Sequence, residues 1–206
     1  MAWIYDDTRG QDRHAWANDS SEAVNNAWEM YRYFITQNPL TTVEALCGIV
    51  GNVCAESHID PWQEQVGSGH GFGLIQWTPP TSLTDVFGNP LPTGDDQCSL
   101  IFNEIMDNQV MWGGGARWIP TSAYPYTGQQ FSNLTDIYEA TRAYFYERER
   151  GTWSNSRLTW AAYYYEVFTG SPPPTPPTPP TPTRTRDKMP LYLYTCKQMR
   201  IKKGLI

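Results

Sequence analysis

Residues 46–57, which read LCGIVGNVCAES, predict the central helix of the fold. Their apolar side chains recur at helical spacing and line one face. Gly48 and Gly51 interrupt this pattern with small residues, which would let a second helix pack closely against it. Pro61 ends the element, so Glu56 is expected in its last turn.

A glycine-punctuated segment follows this helix. Residues 71–77 read GFGLIQW, and their two glycines permit close backbone approach or unusual dihedral angles. The segment also contains groups that can contact a sugar, namely the amide of Gln76 and the indole of Trp77. Cleavage of a glycosidic bond requires a protonated acid beside the leaving oxygen. The pair of motifs therefore makes Glu56 a candidate proton donor to a sugar chain.

The two motifs resemble those of lysozyme-like muramidases and lytic transglycosylases, in which a helix-ending Glu-Ser precedes a Gly-Leu-x-Gln strand. In particular, the chain resembles phage tail-associated lysozymes, which read Gly-Asn-x-x-x-Glu-Ser and then Gly-x-Gly-Leu-x-Gln-Trp. Residues 51–57 and 71–77 fit both patterns, and Gln97 and residues 143–148 also look similar. The resemblance covers residues 20–170. It implies an α+β, mostly α fold with a small β-hairpin beside the active-site cleft.

The resemblance implies roles for the motif residues. Glu56 is expected to be the general acid that cleaves the β-1,4 bond between N-acetylmuramic acid and N-acetylglucosamine in peptidoglycan. Gln76 and Trp77 are expected to line the subsites beside that bond, and Ser57 to support the Glu56 carboxylate or cap the helix. The predicted substrate-binding residues are Ser57, His70, Gly73, Gln76 and Trp77.

The sequence does not identify a second catalytic carboxylate, and it leaves two routes for the attack on the anomeric carbon. In hen-type animal lysozymes a nucleophilic Asp lies two residues before the glycine that matches Gly73, and here that position is Gly71. One route is a water activated by another carboxylate, for which the candidates are Asp60, Glu64 and Asp85. The other route is attack by the muramyl hydroxyl of the substrate itself, as in lytic transglycosylases, which requires Glu56 alone.

Other functions fit these residues less well. His58 and His70 flank the motif region, but they lack the His-x-x-x-His spacing that places two zinc ligands on one helical face. Cys54 beside a histidine suggests a cysteine peptidase acting on peptidoglycan stems, yet a mid-helix position on the apolar face suits a nucleophile poorly. We therefore predict no metal and no cofactor. A non-enzymatic alternative is a tail-tip protein that keeps the fold for glycan binding or assembly.

The charge distribution argues against a nucleic-acid partner. Residues 1–170 contain 8 Arg, no Lys and 20 acidic residues, a net charge of −12. Residues 171–206 carry 7 basic residues against Asp187, a net charge of +6. Nucleic-acid binding needs a basic face, which the acidic body lacks. The 9 Trp and 13 Tyr suit carbohydrate instead, because flat rings stack on sugar faces, although many will belong to the core.

The four cysteines are predicted to be free thiols. Cys47 and Cys54 are seven residues apart on one helix, roughly 10 Å of rise. That separation is too large for a disulfide. The other two are Cys98 and Cys196, and the absence of C-x-x-C spacing argues against structural zinc.

The chain divides into four predicted parts. They are an irregular arm (1–18), a catalytic domain (19–170), a Pro/Thr-rich linker (171–183) and a basic tail peptide (184–206). Eight of the eleven residues from 172 to 182 are Pro, which predicts a polyproline II spacer of roughly 34 Å. Residues 62–93 are expected to be rich in loops and strands. Helices are predicted at about 19–37, 41–60, 95–108, 133–150 and 156–168.

The site where the protein acts is predicted from its targeting signals and from the family resemblance. No run of 18 apolar residues occurs, so no transmembrane helix is expected. Residues 1–7 lack basic residues and an apolar stretch, so no standard secretory signal is expected. With the resemblance, this predicts a virion component at the phage tail tip, made in the host cytoplasm and acting at the cell wall during genome ejection. Its expected partners are peptidoglycan and, through residues 184–206, other tail proteins.

Overall fold

Helices form most of the described part of the chain. A computed structural model describes residues 2–6, 16–39, 41–65, 70–106 and 118–172. A π-helical turn, Phe145–Glu149, directly continues the sixth α-helix. Within the described ranges the α-helices are α1 (Ser21–Gln37), α2 (Val43–Ser57), α3 (Thr81–Phe87), α4 (Gly94–Met106), α5 (Gly128–Ser132), α6 (Ile137–Tyr144) and α7 (Ser156–Thr169). The expectation of a mostly helical fold is confirmed.

The predicted central helix is α2, and 11 of its 15 residues are buried. The Thr42 hydroxyl caps its first turn by accepting a hydrogen bond from the Ala45 N–H at 3.1 Å. A helix that is apolar all round needs neighbours on every side. Here α7 and α6 form its largest interfaces, and α1 and α5 complete its surroundings.

Two glycines of α2 allow this close packing. A Cβ atom added to Gly48 would lie 2.8 Å from the Ala140 carbonyl carbon of α6. One added to Gly51 would lie 2.6 Å from the Arg157 carbonyl oxygen and 2.7 Å from the Ala161 nitrogen of α7. All three distances are shorter than a Cβ atom tolerates against backbone atoms, so only glycine fits at either position.

The structure differs from the sequence-based expectation between residues 62 and 93. Instead of a β-hairpin, the described residues contain two isolated antiparallel bridges, Glu64 to Phe72 and Phe72 to Trp77, and no longer strand. The unpredicted helix α3 lies in the same region and buries only Leu83. With a single buried position, α3 has no periodic apolar pattern, while the prolines before it suit a helical first turn.

The predicted helix at 133–150 is divided in the structure. Asp136 caps α6, and the π-helical turn replaces the last α-helical turns. The missed helix α5 begins with a capping box, in which the Thr127 hydroxyl accepts from the Gln130 N–H and the Gln130 side chain accepts from the Thr127 N–H.

The N-terminal arm is extended at residues 2–6 and lies against three parts of the fold. Asn26 of α1 accepts from the Ile4 N–H at 2.8 Å and donates back to the Ile4 carbonyl at 2.7 Å. The Trp3 indole lies against Gly94 at the start of α4 and donates to Asp95 at 2.8 Å. The Tyr5 ring lies on Trp62, with the ring centroids 4.4 Å apart.

Cys47, Cys54 and Cys98 are free and buried, as expected. Cys196, the tail peptide and all but the first two residues of the linker lie outside the described residues. In the part of the chain that is described, no helix combines the length and the apolar character needed to cross a membrane.

Candidate functional site

Glu56 lies in the last turn of α2, where the buried helix reaches the surface. Its side chain retains 25% of its solvent exposure, while Val53, Cys54 and Ser57 around it are buried. A carboxyl group in this position is held by a rigid element yet remains open on one side. That is the placement a proton donor to a bound substrate needs.

Arg157, in the first turn of α7, holds Glu56 in place. One guanidinium nitrogen, Nη2, contacts Glu56 Oε1, and the other, Nη1, donates to the Asn52 side-chain oxygen at 3.0 Å. Asn52 is itself fixed, because its amide nitrogen donates to the carbonyls of Gly48 at 2.8 Å and Thr141 at 3.0 Å. The Arg157 Cζ atom also lies over the Phe145 ring, 4.8 Å from the ring centroid. Glu56 is thus braced by side chains from three elements.

The π-helical turn supplies Phe145 and a group of buried charges. It ends at Arg150, whose left-handed φ of 56° closes the turn with a hydrogen bond from its N–H to the Phe145 carbonyl at 2.7 Å. Single π turns inside α-helices often occur at functional sites. The wider turn brings Glu147, Arg148 and Glu149 toward the protein interior.

The charges of this turn are shielded from water. Arg148 Nε donates to Glu104 Oε2 of α4 at 2.6 Å, and both side chains are almost fully buried. Burial raises the pKa of Glu147 to about 7, although its carboxylate accepts from the Tyr126 N–H at 3.0 Å. Burial also raises the pKa of Glu149 to about 7; Arg148 opposes that rise, and the charge of Glu56 adds to it. Although Glu149 is partly exposed as a residue, its Oε1 atom is buried and has no hydrogen-bond partner among the described residues.

The backbone directly after Glu56 is strained. His58 and Ile59 both have left-handed φ values, 54° and 60°, and such a conformation is unusual for a β-branched residue. The surrounding structure holds it: the Trp16 indole donates to the His58 carbonyl at 2.8 Å, and Asn26 donates to the Ile59 carbonyl at 2.9 Å. Strain of this kind persists where neighbouring contacts over-determine the backbone, often beside functional groups.

The segment 71–77 is anchored to the end of α2. Ser57 is buried, and its hydroxyl donates to the Leu74 carbonyl at 2.8 Å. The Leu74 N–H in turn donates to the Gln97 side chain at 2.8 Å. Gly73 has φ of 82°, and a Cβ there would lie 2.5 Å from Gln97 Oε1, so this position requires glycine. The structure therefore brings the two sequence motifs together.

The predicted substrate-binding residues differ in accessibility. Ser57 and Gly73 are buried and shape the loop rather than its surface. Both hydrogens of the half-buried Gln76 amide are used, on the carbonyls of Gln63 and Gly73 at 3.1 and 2.9 Å. Trp77 is only 3% exposed, which makes it a core residue in this structure. His70 is exposed at the loop edge.

The three candidates for a second carboxylate lie in different environments. Asp60 is buried and accepts from the N–H groups of Trp62 and Asp6 at 3.0 and 3.4 Å. Glu64 is half-buried and lines a pocket of about 120 Å³ together with Phe72, Pro80, Thr84 and Pro90. Asp85 is exposed on α3.

Cys54 and His58 were considered for a cysteine peptidase and for a zinc site. Cys54 is fully buried, and burial raises the pKa of its thiol, which disfavours the thiolate that a nucleophile needs. His58 Nδ1 lies 2.7 Å from the Trp16 carbonyl oxygen. Within the described ranges, no three His, Cys, Asp or Glu side chains are grouped so as to hold a metal ion.

Sequence reasoning missed three residues of this site. Arg157 carried a usable signal, because it occupies the buried face of α7 with Ala161 and Tyr164 at helical spacing, and a charge on such a face needs a partner. Asn52 belongs to the quoted motif, but its contacts lie 89 and 105 residues away in sequence. Glu149 lies in a run of alternating charges that is typical of a solvated surface, and only the π-helical turn buries it.

Comparison with known proteins identifies a family and a phage relative. A family model described as phage tail lysozyme matches residues 25–168. "Morphogenesis protein 1" of Bacillus phage B103 is 30% identical over 156 residues, which cover 72% of this chain and 40% of that protein. The chain thus spans less than half the length of this relative. The segment that the family model matches, residues 25–168, contains Glu56, Arg157 and Glu149.

Proposed function

The chain belongs to the phage tail lysozyme family, and from that premise we propose that it is a virion-associated enzyme that degrades peptidoglycan. It cleaves the β-1,4 bond between N-acetylmuramic acid and N-acetylglucosamine, as a muramidase or a lytic transglycosylase. The observation that carries this proposal is Glu56, a partly open carboxyl group at the end of a buried helix, fixed by Arg157 and next to the 71–77 loop.

In this proposal Glu56 gives its proton to the leaving glycosidic oxygen as the anomeric carbon gains positive charge. Arg157 and Asn52 fix the direction of the carboxyl group, which supports transfer along one line to a bound sugar. After transfer, the guanidinium group stabilises the carboxylate that is left. The proton returns from solvent through the open side of the residue.

Attack on the anomeric carbon has two candidate routes. The buried position of Asp60, with its carboxylate turned toward backbone N–H groups, disfavours a role in activating water in the cleft. Glu64 lines a pocket and Asp85 is exposed, so either can reach a water molecule. Attack by the muramyl hydroxyl of the substrate needs neither residue and would leave a 1,6-anhydro product.

An aromatic surface beside the site suits the glycan strand. The rings of Tyr124 and Tyr146 are nearly parallel with centroids 5.3 Å apart, and Tyr146 and Trp153 are nearly parallel at 6.0 Å. Phe145, which supports Arg157, touches both Tyr146 and Trp153 edge-on. Flat rings of this kind provide contact area for the faces of sugars.

The biological setting we propose is local opening of the cell wall during genome ejection, with the protein carried at the phage tail tip. Residues 184–206 would join it to other tail proteins, because a short basic peptide after a proline-rich spacer suits attachment to a partner.

A non-catalytic role in assembly or glycan binding is the second candidate. One observation favours it: the phage relative is named a morphogenesis protein. A protein of this kind would keep the helical fold and the loop around residues 71–77 without using Glu56 as an acid.

Zymography on purified cell walls separates the two candidates. We expect the wild type and Glu166→Gln, a change on the exposed face of α7, to clear the gel, and Glu56→Gln to lose clearing while keeping its circular dichroism spectrum. Equal clearing by wild type and Glu56→Gln, or none by either, would refute the catalytic role. Mass spectrometry of the released muropeptides then distinguishes reducing ends from 1,6-anhydro ends. The variants Glu64→Gln and Asp85→Asn test the second carboxylate.

A further inference from the structure

A small pocket is formed where the segment 71–77 meets α3. It has a volume of about 120 Å³ and is lined by Glu64, Phe72, Pro80, Thr84 and Pro90. One water molecule needs only roughly 10–15 Å³ of such space, so the pocket can admit a short chain of atoms. Ser57, the neighbour of Glu56, donates to the Leu74 carbonyl at 2.8 Å, which fixes this segment to the end of α2.

Two facing residues form one wall of the pocket. Glu64 and Phe72 are joined in an antiparallel bridge, which is flanked on both sides by backbone hydrogen bonds of 2.7 and 2.9 Å between their neighbours. In a residue pair of this non-hydrogen-bonded kind, the two side chains lie close together on the same face. The Glu64 side chain is therefore held beside the buried Phe72 ring.

The lining of the pocket favours a positively charged group. Its two prolines have no N–H, and the N–H groups of Phe72 and Thr84 already donate to other carbonyls, at 3.2 and 3.0 Å. The Glu64 carboxylate makes no hydrogen bond or ion pair with the described part of the chain. A half-buried carboxylate beside apolar side chains is stabilised by a cation.

We propose that this pocket binds an aliphatic ammonium group of the substrate, namely the free side-chain amine of the diamino acid in a peptidoglycan stem peptide, with Glu64 as its counter-ion. An ammonium group on a methylene stem matches an apolar pocket that carries one carboxylate. The stem peptide starts at the lactyl group of N-acetylmuramic acid, and three extended residues span about 10 Å, so it can follow the loops around the cleaved bond. This inference rests on the proposed function, and it assigns Glu64 to recognition of the substrate instead of activation of water.

Binding to the full chain tests the pocket without catalysis. The probe is the stem tripeptide of alanine, γ-linked D-glutamate and lysine, and its ε-N-acetylated form lacks the positive charge. In nitrogen-15 NMR we expect the free amine to shift the amide signals of Glu64, Phe72 and Thr84, and the acetylated peptide to bind at least about tenfold more weakly. Glu64→Gln should lose this preference. Asp85→Asn, which removes an equal charge from the exposed side of α3, should keep it.

Three results of the titration would overturn the proposal. They are the absence of shifts at these amides with millimolar tripeptide, equal binding of both peptides by the wild type, and an unchanged preference in a folded Glu64→Gln protein.

Hydrolysis of soluble glycan strands separates recognition from water activation. When the stem amines are chemically acetylated, the wild-type KM should rise about tenfold with little change in kcat, and Glu64→Gln should have the same KM on both preparations. A Glu64→Gln protein that loses kcat on both preparations but keeps the wild-type preference would overturn the proposal in favour of water activation. If the wild type is inactive on both, the proposed function fails, while the tripeptide titration still decides whether the pocket binds the amine.

Discussion

Replacing Gly51 by Ala tests whether the contact between α2 and α7 determines the stability of this fold. On helix propensity alone the change should stabilise the protein by about 1 kcal/mol. The added Cβ, however, would lie 2.6 Å from the Arg157 carbonyl oxygen and 2.7 Å from the Ala161 nitrogen. Helix propensity thus predicts that Gly51→Ala raises the free energy of unfolding, whereas packing predicts that it lowers it.

The magnitude follows from these distances. Ordinary contact begins at 3.4 Å, so the two helices must separate by about 0.8 Å, and overpacking of this kind costs about 1–3 kcal/mol. Because both obstacles are backbone atoms, we expect the upper end of that range and a net loss of about 2 kcal/mol after the propensity gain. For a domain of this size that lowers Tm by roughly 4–8 °C.

Thermal and urea unfolding, followed by circular dichroism, measure this loss. Gly151→Ala is the matched control, because no heavy atom lies within 4 Å of its added Cβ, and its unfolding free energy should stay within about 0.5 kcal/mol of the wild type. A Gly51→Ala protein that melts at or above the wild-type temperature would refute the packing argument.

Three further predictions concern the site and the core. Arg157→Lys should keep the fold but lower hydrolytic activity about 10–100-fold, because Lys lacks the rigid pair of nitrogens with which Arg157 contacts Asn52 and Glu56, and an undiminished rate would contradict a positioning role of Arg157. The folded-state pKa of Glu147 and Glu149, about 7 in each case against 4.5, means that the folded protein binds more protons between those values. Stability should therefore fall as pH rises from 4.5 to 7, by at most about 1.4 kcal/mol per pH unit for each carboxyl group, and Tm measured at pH 5 and 7 should fall less in Glu147→Gln. In a Cys196→Ser background, Ellman's reagent should react only after denaturation, and reaction in the folded state would contradict the burial of Cys47, Cys54 and Cys98.

The helices with strong local signals could be predicted from the sequence. The apolar spacing, the cap at Thr42 and the glycines at 48 and 51 determine α2 and the close packing against it. The expected β-hairpin is not confirmed: in the described residues the segment 71–77 forms only isolated backbone bridges, and side-chain hydrogen bonds from Ser57 and Gln97 also hold it. Contacts of that kind join residues far apart in sequence and leave no local periodicity.

The candidate site was predictable in part. Glu56 stands out because a motif of local residues surrounds it. The residues that hold it in place have no such local signal, since Arg157 lies 101 residues away and Phe145 lies in a π-helical turn that no propensity pattern indicates. The burial of Trp77, expected beside the substrate, could not be read from the motif, because a tryptophan suits both a sugar subsite and a core.

The extended arm at residues 2–6 changes where this domain begins in practice. It precedes the family match at residue 25, yet through Asn26 it connects to the strained turn at Ile59, three residues after Glu56. A recombinant fragment cut at residue 25 would therefore lose one support of the C-terminal end of α2 while retaining every motif residue. A recombinant fragment should therefore include the first six residues. A bulky fusion partner is better placed at the C-terminus than at the N-terminus.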